Sequence, residues 1–191
     1  MENGFVAKYW ENRYKTGKNS GLGSYDPEAI KFKSDYVNSL IKNNNIKTLV
    51  EFGCGDGNQL KLFKGYNHYY GTDISETVIK NCKNLFKNDN NKTFEYDLSK
   101  IIDKKYDLSI SLDVIYHLVE DKLLETYIDN LFKTSNLVSI YTTNHNMRYN
   151  GGHVRHREIK PLISERYPDF ELIDECPFTK YKVMFLTYRK K

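Results

Sequence analysis

The sequence predicts an α/β fold: a doubly wound, mostly parallel sheet of seven strands that ends in an antiparallel C-terminal strand. Three observations predict it. Short apolar, β-branched runs alternate with amphipathic windows; the first such run ends in a glycine-rich turn; and the last two runs follow one another with no helical window between them. Parallel neighbours need a crossover connection, and right-handed helical crossovers supply it, so alternation reads as a parallel sheet with helices on both faces.

The elements follow in order. Asp26 and Pro27 form an N-cap and first-turn proline, and Ile30, Val37, Leu40 and Ile41 keep one helical face until the asparagines at 43–45, predicting a helix over 27–43. Residues 46–53, IKTLVEFG, read as a buried strand, with a short helix expected over 57–64. HYYGTD at 68–73 is the second strand. Ser75 then caps a helix whose inner face is Val78, Ile79, Cys82, Leu85 and Phe86, with Glu76 early and Lys83 and Lys87 late to suit the helix dipole. TFEYD at 93–97 and YDLSISL at 106–112 are the third and fourth strands. Leu123, Leu124, Tyr127, Ile128, Leu131 and Phe132 fall at helical spacing, and LVSIYTT at 137–143 is the fifth strand. Pro161 opens a short helix. FELIDE at 170–175 and KVMFLTYR at 182–189, joined by a loop containing Pro177, predict an antiparallel, hairpin-like addition to the sheet edge.

Composition bounds what this fold does. At 191 residues, 39% hydrophobic and 28% charged, one domain spanning 1–191 has enough core to fold without disulfides. The net charge of +4 is spread along the chain, so no nucleic-acid footprint is expected. No apolar stretch has signal-peptide or membrane-spanning length, which leads us to expect a cytoplasmic protein without membrane insertion. Cys54, Cys82 and Cys176 have neither disulfide-framework nor zinc spacing, and no metal site is expected.

The central motif is VEFGCGDGNQ, residues 50–59, where Gly53, Gly55 and Gly57 let the backbone turn sharply and approach a ligand. A phosphate loop needs Lys followed by Ser or Thr, and here Asn58 and Gln59 follow the last glycine. A dinucleotide fingerprint places its third glycine after two intervening residues, where this chain has Asn58. Glu51 and Asp56 put two carboxylates around the turn. They repel a pyrophosphate and suit a ligand carrying an ammonium and a sulfonium, as S-adenosylmethionine does.

EFGCGDGNQ resembles the first motif of the class I S-adenosylmethionine-dependent methyltransferases, and three further segments follow in register: YYGTDIS, TFEYDLS and LSISLDVIYHL, within residues 46–143. The resemblance implies a Rossmann-like fold, S-adenosylmethionine as cofactor and S-adenosylhomocysteine as its product. It places Glu51, Phe52, Gly53, Cys54, Gly55, Gly57, Asn58 and Gln59 in the cofactor loop. Asp73 with Ile74 would accept from the ribose hydroxyls, Asp97 with Leu98 would lie at the adenine, and Leu112 and Asp113 would flank the methionine end. Cys54 there matters for size.

The acceptor is argued from absences and flanks. The segment after the fourth strand reads LDVIY, without the Asn/Asp-Pro-Pro-aromatic pattern of amino-group enzymes acting on bases or glutamine, and no cysteine nucleophile lies there. A hydroxyl acceptor needs in-line placement and a base, which suits histidine. His117 lies just past the fourth strand and His153 on the glycine-containing segment 144–160, so these two are the candidate catalytic residues. On the same segment Asn144, Arg155, His156 and Arg157 are substrate-binding candidates, the arginines as a clamp for a phosphate or carboxylate. Tyr9, Trp10, Arg13 and Tyr14 sit on a short N-terminal helix within a lead, residues 1–25, expected to fold over the site; Tyr116 beside His117 completes the set. SGLGSY, the cofactor loop, SLDVIYHLVED and HVRHR together are similar to small bacterial methyltransferases of surface-glycan and capsule assembly. That likeness implies O-methylation of a sugar hydroxyl on a sugar nucleotide or glycan precursor. The alternatives are methylation of another small molecule or a protein side chain, and a non-catalytic cofactor-binding module.

Overall fold

A computed structural model describes residues 4–96 and 103–191. Its described elements are α1 (Phe5–Lys15), α2 (Pro27–Asn43), β1 (Thr48–Phe52), β2 (His68–Asp73), α3 (Glu76–Leu85), β3 (Lys92–Tyr96), β4 (Leu108–Leu112), α4 (Asp121–Thr134), β5 (Leu137–Thr142), α5 (Lys160–Arg166), β6 (Phe170–Phe178) and β7 (Val183–Lys190). They form one sheet in the order β3-β2-β1-β4-β5-β7-β6. The first five strands pair in parallel, while β7 runs antiparallel to both β5 and β6. The chain runs outward from β1 to β3 and then returns to lay β4 beside β1. The carboxyl ends of β1 and β4 therefore flank the crevice where such sheets bind ligands.

Two local expectations change. The helix expected over 57–64 is a single 3-10 turn, Leu60–Leu62, because Gly57 takes a left-handed φ of 73° and Phe63 is already extended. Pro177 lies inside β6 instead of in the connecting loop; β6 is the edge strand, where a missing backbone N–H costs no ladder bond. The connection to β7 is the 3-10 turn Thr179–Tyr181, closed by Lys182 in the left-handed region.

The core lies on both faces of the sheet. On one side Phe52, Tyr127, Ile128, Leu131, Val138 and Leu186 pack between β1, β4, β5 and α4; on the other Val37, Ile41, Leu49, Val78, Ile110 and Phe185 pack against α2 and α3. Tyr127 ties α4 to the end of β1, its hydroxyl donating to the Phe52 carbonyl at 2.7 Å and lying 2.7 Å from Ser111 Oγ. Among the described residues no helix is long and apolar enough to cross a membrane.

Candidate active site

The glycine turn leaves β1 with Gly53, Gly55 and Gly57 all at positive φ, 77°, 55° and 73°. At Gly53 a Cβ would stand 2.4 Å from Val114 Cγ2, so the close approach of this turn to the segment after β4 requires glycine. Gly53, Cys54 and Gly55, with Glu51, Gln59, Asp73, Ile74, Leu112, Asp113 and His117, line one cavity at the carboxyl ends of β1 and β4. Glu51 is buried and takes a 2.6 Å hydrogen bond from Tyr69; burial pushes its carboxyl up to about 7. Asp73 is buried too, and burial raises it to about 6 although the Ser75 and Gly55 amides donate to it, both at 3.0 Å.

Not every loop residue faces the cavity. Phe52 points into the core under α4, and Gly57 packs against Phe86 and Cys82. Asn58 fastens the lead, its amide donating to the Ser24 carbonyl at 2.8 Å. Asp97 and Leu98 lie outside the described residues.

The lead forms a cover. α1 contributes Val6, Trp10 and Tyr14 to the cavity wall, and the following turn contributes Ser20 and Ser24. Glu11 clamps α1 to the first turn of α3 by accepting from Ser75 Oγ at 2.6 Å, Thr77 Oγ1 at 2.7 Å and the Thr77 amide at 3.2 Å. Asp56 holds the turn, accepting from the Ser20 amide at 2.9 Å and the Tyr25 hydroxyl at 3.0 Å. Arg13 lies over the Trp10 ring while its Nε donates to the Asn19 carbonyl, so it shapes the turn from outside the cavity wall.

His117 and His153 come together. Their rings are parallel with centroids 5.5 Å apart; Tyr9 stacks on His153 at 4.3 Å, and Trp10 meets His117 edge-on at 4.9 Å. His117 Nδ1 lies 3.1 Å from the His153 carbonyl. A carbonyl only accepts, so Nδ1 carries the proton and Nε2 is left with its lone pair. Burial lowers the His117 imidazole to about 4, so it is neutral at neutral pH. Tyr116 donates to Asp113 Oδ1 at 2.9 Å, and His156 Nδ1 lies 2.9 Å from Thr143 Oγ1.

Arg155 and Arg157 make contacts within the chain. Arg155 Nη1 donates to the Val119 carbonyl and to Asp121; Arg157 donates to the Leu118 and Val119 carbonyls and to Asp121, at 2.9 to 3.1 Å. Both staple segment 144–160 to the start of α4. Asn144 is likewise engaged, its Oδ1 capping α5 by accepting from the Ile159 and Lys160 amides. Arg157→Ala should therefore lower folding stability by about 3 kcal/mol in a denaturant titration, since it strips a charged donor from two carbonyls and a carboxylate. Intact stability with weakened acceptor binding would restore the clamp.

Residues 50–134, which run from within β1 to the end of α4, match the family model described as a methyltransferase domain. Over those residues, less than half of the chain, the protein is similar to methyltransferase domains. A viral relative named as methyltransferase 235L, from Invertebrate iridescent virus 6, is 28% identical over 106 residues, covering 52% of this chain and 40% of its own. The match thus spans well under half of that relative. The solved structure of the N-methyltransferase NodS from Bradyrhizobium japonicum superposes with a TM-score of 0.77 at 15% identity, covering 97% of this chain and 98% of that one. Magnesium protoporphyrin IX methyltransferase from Synechocystis gives 0.72 at 18% identity, covering 97% and 98%. The Burkholderia thailandensis 1,6-didemethyltoxoflavin-N1-methyltransferase gives 0.73 at 16% identity, covering 97% and 87%. These likenesses show the fold.

The cavity also contains residues outside the sequence motifs. Lys33 of α2 lines it although its side chain is 1% exposed, and Gln59 Oε1 is buried there without a hydrogen-bond partner. Lys33 had a signal: Ala29, Lys33, Val37 and Ile41 recur every four residues and are all buried, so a lysine interrupts the apolar stripe of α2. Val6, Ser20, Ser24, Val114 and Leu118 reach the wall through the folded lead and the turn after β4. Among the described residues no group of three or more His, Cys, Asp or Glu side chains could hold a metal ion.

Proposed function

We propose that this domain transfers the methyl group of S-adenosylmethionine to a hydroxyl of a small-molecule acceptor, with His117 as the base. The cavity fits such a cofactor. Desolvated Glu51 and Asp73 and the orphaned Gln59 Oε1 are acceptors awaiting donors or positive charge. When bound, S-adenosylmethionine supplies an electrophilic methyl on a sulfonium. Around it, the glycine turn allows close backbone approach, Asp73 accepts from the ribose, and α1 excludes water by covering the cavity.

The observation that carries the hydroxyl reading is the tautomer of His117, whose Nδ1 is spent on the His153 carbonyl while its ring lines the cavity. Nε2 takes the hydroxyl proton as the new C–O bond forms and the methyl–sulfur bond breaks, leaving S-adenosylhomocysteine. That proton becomes strongly acidic once the oxygen begins to bond the methyl, so a base held at about 4 suffices. Within this class a sugar hydroxyl is the first acceptor to test, on the strength of the sequence likeness; with both arginines engaged, a phosphate on the acceptor is not required. An amine acceptor is the second reading, favoured by the N-methyltransferases among the similar folds.

Both are tested together by incubating the protein with methyl-labelled S-adenosylmethionine and panels of sugars, sugar nucleotides, phenols and amines, then locating the label by mass spectrometry. Label on nitrogen replaces the hydroxyl reading. Calorimetry with S-adenosylhomocysteine and NAD tests the cofactor, and binding of NAD alone would overturn the whole assignment.

The cofactor should bind with a defined pH dependence. Glu51 and Asp73 are raised to about 7 and about 6. Their protonated forms stabilise the free protein at low pH, a contribution lost as pH rises through those values, whereas a cationic cofactor favours the ionised forms. Affinity for S-adenosylmethionine should accordingly tighten from about pH 5.5 to about pH 7.5, with up to roughly tenfold per unit for each group, and then level off. Calorimetry across that range checks it, and a flat profile would remove both carboxylates from the cofactor contact.

A further inference from the structure

The cavity wall holds four carboxylates, Glu51, Asp56, Asp73 and Asp113, and among its described lining residues Lys33 is the only lysine or arginine. Lys33 reaches in from α2 and is almost fully buried. Its Nζ lies 2.6 Å from Asp113 Oδ2 and 5.5 Å from the centre of the Tyr141 ring. Asp113 sits at a φ of +61°, in the left-handed region that costs an L-residue, and its other oxygen is taken by the Tyr116 hydroxyl. A desolvated ion pair is a poor stabiliser compared with apolar packing of the same volume. This one, on a strained residue in a cavity wall, calls for another reason to exist.

A zwitterion supplies that reason. An α-amino acid carries the same two charges as the pair, on adjacent groups. If Lys33 turns to its carboxylate and Asp113 to its ammonium, neither protein charge is left unpaired in the free or the bound state. The unpartnered Gln59 Oε1, buried in the same wall, is the further acceptor an ammonium with three donors needs.

We propose that the Lys33–Asp113 pair is the subsite for the α-amino-acid end of the cofactor, with Lys33 holding the carboxylate and Asp113 and Gln59 Oε1 the ammonium. The proposal rests on the cofactor reading above and assigns a role to a residue outside the sequence motifs. It makes the carboxylate a requirement for tight binding, so the site discriminates against ligands that lack it.

The test is calorimetry with S-adenosylhomocysteine and its decarboxylated analogue, which keeps the ammonium. The wild-type protein should prefer S-adenosylhomocysteine by about tenfold or more, as expected for one charge-assisted contact in a dry site. In Lys33→Met that preference should fall to within about twofold of unity. Because Lys33→Met leaves Asp113 without its partner, the double variant Lys33→Met/Asp113→Asn serves if the single one does not fold. Losses common to both ligands cancel in the ratio. A wild-type ratio near one, or a preference that survives in either variant, overturns the subsite. Failure of the wild-type protein to bind either ligand overturns the cofactor reading and this inference with it.

Discussion

Replacing His117 by alanine should lower kcat by about a hundredfold, the lower part of the range for a lost general base, while the affinity for S-adenosylhomocysteine stays within about threefold of wild type. The separation follows from where the ring lies. His117 meets Trp10 and His153 at the α1 side of the cavity, and the glycine turn and Asp73 stand on the other strands. His153→Ala should cost less, because the group that sets the His117 tautomer is the His153 backbone carbonyl, which alanine keeps. What it removes is the ring stacked on Tyr9 and parallel to His117. Turnover retained in His117→Ala sinks the assignment of the base. With cofactor and acceptor saturating, turnover should also show no titration near the ordinary histidine value, since the folded protein holds His117 at about 4.

Asp73→Asn should weaken S-adenosylhomocysteine binding by about a hundredfold or more. Both carboxylate oxygens already accept backbone amides, Gly55 on one side and Ser75 on the other. An asparagine turns one end into a donor facing an N–H, which costs about 1 to 3 kcal/mol and disturbs the glycine turn or the start of α3. It also loses the acceptor proposed for the ribose. Folding stability should fall by no more than that about 1 to 3 kcal/mol, because the substitution also removes a charge whose burial already raises its carboxyl to about 6. Calorimetry paired with a denaturant titration separates the two; affinity within threefold of wild type would take Asp73 out of the cofactor site.

Local periodicity made most of the architecture readable. The α2 cap at Asp26, the Ser75 cap of α3 and the helical face from Leu124 to Phe132 are written in residues three and four apart, and all three appear in the structure. The 3-10 turn after the glycine loop was not readable from spacing. Its length is limited by Gly57 in the left-handed region, with Asn58 drawn to Ser24 across 34 positions of sequence. The insertion of β7 between β5 and β6 is non-local in the same way, since it depends on which edge the final strand finds free.

The site divides along similar lines. Glycines at positive φ and carboxylates at strand ends are demands of a few adjacent residues, so the turn at 53–57 and the positions of Glu51, Asp73 and Asp113 could be argued from the sequence alone. Whether a polar group is free or already used depends on neighbours far along the chain. Arg155 and Arg157 looked wholly available until Asp121 and the carbonyls of 118 and 119 engaged part of each guanidinium, and Asn144 until it capped α5. Lys33 looked like one charge in a helix until Asp113, 80 positions away, met it inside the cavity. The sequence by itself determined the fold class and the acidic, glycine-lined end of the sheet, because backbone conformation and the alternation of strands and helices follow from local pattern. Only the tertiary structure decided which side chains remain to act there, because hydrogen-bond capacity is consumed by contacts that exist after folding.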